Sequence, residues 1–180
     1  MLLGSEYFIS DEQFEAVQRK VRRQNDLFSV LITFGGSDPT GLILKVLKTL
    51  AKSTYPEFVF KIVLGPGFTE EEDVDDIVAC FPSMIEVFKN PPDLLPLFID
   101  CDLAICSGGR TLYELNTLKV PTLAIASIEH EAPVINAFLA QKKLMAGLWA
   151  WDEQEFIKQL EISLGRIAKQ GNDVFSNNCN

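Results

Sequence analysis

Two glycine-rich segments of the sequence have the composition of loops that bind anions. The first glycine loop is FGGSDPTG, from Phe34 to Gly41, and the second is CSGGRT, from Cys106 to Thr111. Glycines let a phosphate approach backbone N–H groups, and a helix that follows adds unpaired N–H donors and a partial positive charge. Neither loop has the spacing of a dinucleotide-binding fingerprint or of a P-loop. The candidate ligand contacts are Gly35, Gly36, Ser37, Ser107, Gly108, Gly109, Arg110 and Thr111.

Arg110 stands where a helix is expected to begin. A cation there interacts unfavourably with the helix dipole, which costs roughly a few tenths of a kcal/mol. An anion bound between the cation and the helix end would make the interaction favourable. The alternative is that Arg110 only pairs with Glu114 at i,i+4, in the weaker order of cation before anion. Glu114 could instead accept hydrogen bonds from two sugar hydroxyls, as carboxylates do in nucleotide-binding folds, or be a surface glutamate.

Three further positions have a structural interpretation beside a functional one. Asp38, which precedes Pro39, is interpreted as a cap of the next helix. His130 is the only histidine of the sequence and lies in SIEHE, where an ordinary loop histidine is the simpler interpretation. Phe88 ends an expected strand, and its backbone could contact the edge of a base, although Pro91-Pro92 alone would explain the turn that follows.

Apolar runs alternate with amphipathic segments along most of the chain. This alternation predicts an α/β fold with a doubly wound parallel sheet and helices on both faces. In such a sheet ligands bind beyond the carboxyl ends of the strands, near the switch in strand order, and both glycine loops follow expected strands. The expected strands are 29–34, 58–65, 84–88, 102–106, 121–126 and 144–148. The expected helices are 42–50, 70–81, 93–99, 110–118, 132–141 and 152–170, the last with Asp152 as its N-cap.

The chain divides into three parts. Residues 1–25 contain no good strand and are interpreted as a linker or arm helix. Residues 26–171 form a single domain, for which the 180-residue length and 47% hydrophobic content provide a full core. Residues 172–180 are polar and are expected to be a frayed tail.

Net charge and composition exclude some classes of binding partner. The formal net charge of -9 argues against a nucleic-acid polymer, which needs a basic face, but a small anion needs only a local cradle. No apolar run approaches the ~20 residues of a membrane span, and the start MLLGSEYF lacks the features of a signal peptide. We therefore expect a cytoplasmic protein without a membrane span.

Cysteine and histidine usage gives no sign of a metal or cofactor. None of the four cysteines forms a C-x-x-C pair, and a single histidine is too few for a zinc site of the Cys/His type. We expect buried free thiols, as in a reducing cytoplasm. These cysteines are Cys80, Cys101, Cys106 and Cys179.

Three motifs together resemble the carboxyl-terminal half of GT-B nucleotide-sugar enzymes. They are GGSDP after the first strand, D-L-A-I-x-S-G-G-x-T-x-x-E from Asp102 to Glu114, and V-P-T-L-A-I from Val120. The sequence looks most similar to the nucleotide-sugar hydrolase of pseudaminic acid biosynthesis and its relatives in spore-coat polysaccharide synthesis, and less to the GlcNAc transferase that completes lipid II. The resemblance covers roughly residues 2–148. It implies a three-layer, Rossmann-like domain that binds UDP or a UDP-sugar for surface polysaccharide or nonulosonic-acid biosynthesis.

The resemblance also implies roles for individual positions. Residues 35–37 match a glycine loop near the diphosphate and sugar, and residues 107–111 match a second loop that cradles phosphate. Glu114 matches a glutamate that holds the ribose, and Val87 and Phe88 match a backbone edge that reads uracil.

Two departures from the family pattern concern charge. Many members have a glutamine where His130 or Glu131 stands here, and an acidic residue would suit contact with sugar hydroxyls better than with a diphosphate. Arg110 replaces a residue that is usually small and could supply compensating charge.

The resemblance implies a second domain as well. In GT-B enzymes the amino-terminal domain supplies the acceptor side, or the catalytic base of the hydrolase. We therefore expect the catalytic residues in a missing amino-terminal domain or partner subunit, and this chain alone to bind without turnover. One alternative is a regulatory or scaffold module with a degenerate nucleotide site. Another is a dehydrogenase fragment, which Gly35-Gly36 disfavours because the third glycine and the ribose carboxylate are not at the expected spacing.

Overall fold

The computed structural model describes Phe14, Val17 and residues 27–52, 58–81 and 85–170, with only the backbone described for 167–170. The predicted linker helix and tail lie outside the described residues, apart from Phe14 and Val17. The strands are β1 (Phe28–Thr33), β2 (Phe58–Leu64), β3 (Ile85–Lys89), β4 (Leu103–Ser107), β5 (Thr122–Ala126) and β6 (Ala146–Trp149). The helices are α1 (Leu42–Leu50), α2 (Glu71–Ala79), α3 (Leu95–Ile99), α4 (Arg110–Thr117), α5 (Ala132–Ala140) and α6 (Glu153–Gln170), with a 3-10 turn at Glu129–Glu131.

The six strands form one parallel sheet in the order β3-β2-β1-β4-β5-β6. The strand order reverses between β1 and β4, which pair directly, Thr33 opposite Cys106. This is the order of a doubly wound, dinucleotide-binding type of fold, so the predicted fold class is confirmed. The loops that follow β1 and β4 therefore flank the switch point.

Helices cover both faces of the sheet because its strands are apolar on both sides. Val30 and Ile32 of β1 pack in one core layer with α1, α2 and α6. Leu31, between them, faces the opposite layer, which contains α3, α4 and α5. Phe14 also lies in this second layer, with its ring centroid 6.3 Å from that of Phe98. The three-layer arrangement follows from the period-two alternation of a strand.

Element ends differ from the predicted ones by one or two residues, for local reasons. Helix α3 begins at Leu95 because the Asp93 carboxylate accepts a hydrogen bond from the Leu95 N–H at 2.9 Å, which holds residue 93 in a turn. Helix α2 ends at Ala79 because Cys80 and Phe81 bond to carbonyls three residues back. The predicted cap of α6 is confirmed, since Asp152 accepts a bond from the Glu155 N–H at 3.1 Å.

Among the described residues, none of the helices combines the length and the hydropathy needed to cross a bilayer.

Candidate functional site

The two glycine loops lie at the same edge of the sheet. Residues 35–37 form an exposed turn directly after β1, and Gly35 adopts a φ of 79°, which favours glycine. Ser107 is the last residue of β4, and Gly108 and Gly109 lead from it into α4. Because β1 and β4 are neighbours at the switch point, the sheet brings together the two segments on which the sequence analysis relied.

The first glycine loop already holds a carboxylate at the N-terminus of its helix. Asp38 is only 5% exposed, and its two carboxylate oxygens accept hydrogen bonds from the backbone N–H groups of Leu42 at 2.9 Å and Ile43 at 2.7 Å. Burial raises the pKa of this carboxyl above its usual value. The capping interpretation of Asp38 is therefore confirmed, and the first donors of α1 are occupied by the protein itself.

We expect Asp38→Ala to lower the free energy of unfolding by about 2 kcal/mol, because two buried N–H groups lose their acceptor. Alanine also tolerates the φ of 42° at this position poorly. Asp38→Asn should cost less, since the amide keeps one acceptor and asparagine tolerates this backbone conformation. Denaturant unfolding of the two variants measures the difference, and equal losses would contradict the capping role.

The difference in stability between the wild type and Asp38→Asn has an expected pH dependence. Because the pKa of Asp38 is raised in the folded state, folding favours the protonated carboxyl. The stability of the wild type relative to Asp38→Asn should therefore be greatest below pH 3.8 and decline as the pH rises through the folded-state pKa. Denaturant unfolding over a pH series checks this sign.

The first glycine loop rests on a segment that the sequence analysis did not single out, Gly65-Pro66-Gly67 after β2. The Gly67 N–H donates to the Gly36 carbonyl at 2.7 Å. A Cβ atom added at Gly65 would lie 2.4 Å from the Gly35 carbonyl oxygen and 2.5 Å from that of Gly36. Only glycine fits at residue 65, and the available signal was a Gly-Pro-Gly sequence at the carboxyl end of a neighbouring strand.

The second glycine loop leads into an open helix N-terminus. Gly109 is the N-cap of α4, in an extended conformation, and no described side chain caps the first turn. The first backbone N–H groups of a helix have no partner within the helix, and they carry its positive partial charge. Of the two helices that follow the glycine loops, α4 therefore offers its donors to an external anion, whereas α1 has Asp38.

Glu131 packs against the second glycine loop. A Cβ atom added at Gly108 would lie 2.8 Å from the Glu131 Cβ atom, so this glycine is required by packing whatever ligand is bound. One Glu131 oxygen accepts hydrogen bonds from both the N–H of Ser127, at 2.7 Å, and its hydroxyl, at 2.8 Å. The sequence did not point to Ser127, because its hydrogen bonds to Glu131 depend on the conformation of the turn after β5. His130 lies exposed on that 3-10 turn.

Arg110 and Glu114 form an ion pair along α4. The Arg110 Nε atom lies 2.9 Å from a Glu114 carboxylate oxygen. The structure therefore contains the i,i+4 ion pair that is the alternative to anion binding by Arg110. The side chain of Arg110 is 72% exposed and that of Glu114 12%. A pair this exposed stabilises the helix by only about 0.5 kcal/mol. Thr111, half-buried, follows Arg110 in the first turn.

Phe88 lies apart from the two glycine loops. It is half-buried on β3, an edge strand that β2 and β1 separate from β4. Three strand spacings correspond to roughly 14 Å. Phe88 and the neighbouring Val87 can therefore meet only the far end of an extended ligand that is anchored at α4.

The thiol of Cys106, at the end of β4, is unreactive by its environment. It is fully buried, and burial first, then the nearby charge of Glu131, raises its pKa. Cys101 is buried too, and its thiol donates to the Phe98 carbonyl at a Sγ···O distance of 3.2 Å. The expectation of buried thiols is wrong for Cys80, which is exposed directly after α2, and Cys179 lies outside the described residues.

Alkylation of the native protein should therefore modify Cys80 and leave Cys101 and Cys106 intact. A buried, protonated thiol reacts slowly because the thiolate is the nucleophile. Peptide mapping by mass spectrometry after iodoacetamide treatment reads each site separately, and unfolded protein serves as the control in which all of them react. Rapid modification of Cys106 in the folded protein would contradict its placement.

In the part of the chain that the structure describes, no group of three or more histidine, cysteine or acidic side chains is arranged to hold a metal ion.

Two curated proteins match the chain over most of its length. The spore coat polysaccharide biosynthesis protein SpsG of Bacillus subtilis is 30% identical over 141 residues, which cover 77% of this chain and 41% of SpsG. An uncharacterized protein of Methanocaldococcus jannaschii is also 30% identical over 141 residues, covering 76% of this chain and 29% of that protein. The chain thus spans less than half the length of these relatives. No family profile matches it.

Solved structures of similar fold are glycosyltransferases. MurG of Acinetobacter baumannii superposes with a TM-score of 0.63 at 17% identity, over 81% of this chain and 42% of MurG. The spinosyn rhamnosyltransferase SpnG superposes with a TM-score of 0.58 at 18% identity, over 86% of this chain and 39% of SpnG. In each case the match covers about two fifths of the longer protein, which fits one half of a two-domain enzyme. The chain is a Rossmann-like domain with the fold of the carboxyl-terminal half of GT-B glycosyltransferases, related in sequence to the spore coat polysaccharide biosynthesis protein SpsG.

Proposed function

We propose that the domain binds the nucleotide diphosphate of a UDP-sugar donor. The observation that carries this proposal is the open N-terminus of α4, which follows Ser107, Gly108 and Gly109 at the switch point of the sheet. It combines free backbone donors, a positive helix end and glycines that allow close approach of a phosphate. The diphosphate would lie here, where the described side chains leave those donors uncapped.

The rest of the ligand follows from the positions of the other candidate residues. Glu114 lies one turn into α4, and its carboxylate would accept hydrogen bonds from the ribose hydroxyls. The base would extend toward the backbone of Phe88 on β3, three strands from the phosphates. The sugar would lie between the first glycine loop and Glu131, whose carboxylate is held in place by Ser127. Hydroxyl donors of a sugar suit that carboxylate better than a second anion does.

In the whole protein the diphosphate would be the leaving group. Water or a sugar hydroxyl attacks the anomeric carbon, the bond to the diphosphate oxygen breaks, and the α4 N–H groups with Arg110 stabilise the charge that develops on that oxygen. The base that activates the attacking group would come from another domain or subunit, since this chain covers 41% of SpsG. The whole protein would then be a glycosyltransferase or UDP-sugar hydrolase of surface polysaccharide or nonulosonic-acid biosynthesis, acting in the cytoplasm.

The relatives support a nucleotide ligand. SpnG has been solved in complex with thymidine diphosphate, a pyrimidine nucleoside diphosphate, and it shares this fold at a TM-score of 0.56 and 20% identity. SpsG is named for polysaccharide biosynthesis. Both are consistent with a domain that binds a nucleotide-sugar donor.

Calorimetric titration of the purified chain with UDP, CDP, GDP and NAD tests the proposal. We expect UDP to bind in preference to the other three, and no hydrolysis of UDP-GlcNAc to be catalysed by the chain alone. The absence of heat with every nucleotide would favour the regulatory or scaffold alternative, and preference for NAD would favour the dehydrogenase alternative. Turnover by the isolated chain would overturn the assignment of catalysis to another domain.

A further inference from the structure

A second cleft, of about 710 Å³, lies along the outside of α1. We call it the outer cleft. It touches the first glycine loop at Ser37 but not the second glycine loop, so it is separate from the phosphate site proposed at the N-terminus of α4. Its walls come from residues 37–41, from α1, from the two residues before α2 and from the start of α6. Its lining residues are Ser37, Asp38, Pro39, Thr40, Gly41, Leu44, Lys45, Lys48, Thr49, Lys52, Thr69, Glu70, Glu153 and Ile157.

Two lysines of the outer cleft form no salt bridge with a described residue, although Asp38 lies close enough to Lys45 to interact with it electrostatically. Lys45 and Lys48 lie one turn apart on the same face of α1, and no described carboxylate lies within 4.0 Å of either ammonium group. Lys45 is also half-buried, whereas Lys52, one turn further, is 3.8 Å from Glu161. Like charges spaced in this way along a helix repel each other. An anion between Lys45 and Lys48 would relieve that repulsion.

One lining residue, Thr40, has a buried hydroxyl that makes no hydrogen bond within the described part of the chain. A buried hydroxyl without a partner costs about 1–3 kcal/mol. Ser37 and Thr69 add two more hydroxyls to the lining. The exposed hydroxyls of Ser37 and Thr69 suit a ligand that both donates and accepts hydrogen bonds.

The carboxylates of the cleft limit the charge of the ligand. Glu70 lines it from just before α2 and Glu153 from α6, while the Asp38 carboxylate is occupied by the backbone of α1. A polyanion would be repelled by the two glutamates, and an uncharged ligand would leave Lys45 and Lys48 without a salt bridge to any described carboxylate. A ligand with one anionic group for the lysines and hydroxyls for the glutamates satisfies both sets. The volume lies within the roughly 300–1,000 Å³ of small-molecule sites.

We propose that the outer cleft binds a sugar that carries a single anionic group, either a phosphate or a carboxylate. The anionic group lies between Lys45 and Lys48, and the hydroxyls contact Ser37, Glu70 and Glu153. The proposal does not depend on nucleotide binding, although Ser37 makes the ligand a neighbour of the first glycine loop.

The test is an NMR titration of ¹⁵N-labelled protein with glucose 1-phosphate, glucuronate, glucose and inorganic phosphate. We expect at least one of the two anionic sugars to shift amide signals of α1 and of residues 37–41, and to bind at least tenfold more tightly than glucose or inorganic phosphate. Comparing glucose 1-phosphate with glucuronate identifies the preferred anionic group.

Paired substitutions locate the site. Lys45→Gln with Lys48→Gln should weaken binding of the anionic sugar at least tenfold. The control is Lys142→Gln with Lys143→Gln, which makes the same change in net charge at two exposed positions after α5, in the opposite layer, and should leave binding unchanged. Affinity for UDP should be the same in all three proteins, which separates this site from the nucleotide site.

Four results would overturn the proposal. They are no binding of either anionic sugar, equal binding of inorganic phosphate, equal binding of glucose, or equal losses in the two paired variants.

Discussion

Glu114→Ala is expected to weaken the binding of UDP by about 100-fold. The side chain of Glu114 is only 12% exposed, so hydrogen bonds from ribose hydroxyls to its carboxylate would be shielded from water. Hydrogen bonds to a charged group contribute about 1.5–3 kcal/mol each, and the loss of about 2.7 kcal/mol corresponds to 100-fold in affinity. Glu114→Gln keeps one acceptor and should cost about tenfold. Calorimetry with UDP measures both variants.

A comparison of UDP with 2′-deoxy-UDP shows whether Glu114 acts on the ribose. The wild type should bind the deoxy compound about tenfold more weakly than UDP. Glu114→Ala should bind the two ligands equally, because this variant has no carboxylate to accept a hydrogen bond from the 2′-hydroxyl. Arg110→Ala breaks the same ion pair while keeping the carboxylate, so it should still distinguish UDP from 2′-deoxy-UDP even where its affinity for both is lower. If Glu114 only supports Arg110, the two alanine variants will show the same loss and the wild type will not distinguish the ligands.

Gly65→Ala is expected to lower the free energy of unfolding by about 3 kcal/mol. The added methyl group would lie 2.4 Å and 2.5 Å from the carbonyl oxygens of Gly35 and Gly36, which are backbone atoms and cannot rotate away. Overpacking of this kind typically costs about 1–3 kcal/mol, and the upper end applies where only backbone can move. The first glycine loop must shift, so the variant should also alter the outer cleft at Ser37.

Gly165→Ala is the control for that substitution. Gly165 lies inside α6, and a Cβ atom added there meets nothing within 4 Å. Alanine in a helix interior is favoured over glycine by about 0.5–1 kcal/mol, so this variant should be more stable than the wild type. Denaturant unfolding compares the two directly. A neutral Gly65→Ala would show that the first glycine loop does not rest on residue 65.

The elements of the fold could be predicted because their signals are local. The segment from Leu42 to Leu50 has apolar residues at helical spacing, and α1 has those bounds. Asp38 could be interpreted as a cap because it bonds to residues only four and five positions ahead. The observed helix ends differ from the predicted ones where a turn competes with the helix, as at Asp93. Hydrophobic periodicity, from which the ends were predicted, carries little information about hydrogen bonds between a side chain and the backbone.

The candidate site could be predicted only in part. The sequence placed both glycine loops at strand ends, and a sheet collects the carboxyl ends of parallel strands at one edge. The sequence could not show which loop leads to a helix with free backbone donors, because that depends on whether a side chain caps the first turn of each helix. Asp38 occupies that of α1, whereas α4 is left open.

By itself, the sequence determined the α/β alternation, the two glycine loops and the local cap at Asp38. Tertiary structure alone decided which distant groups touch. It placed Gly65 under the first glycine loop, Glu131 against Gly108, and Lys45 in a cleft between three helices. The physical reason is that these contacts depend on strand order and helix packing, which join residues far apart in the chain, whereas periodicity and capping act within a few residues.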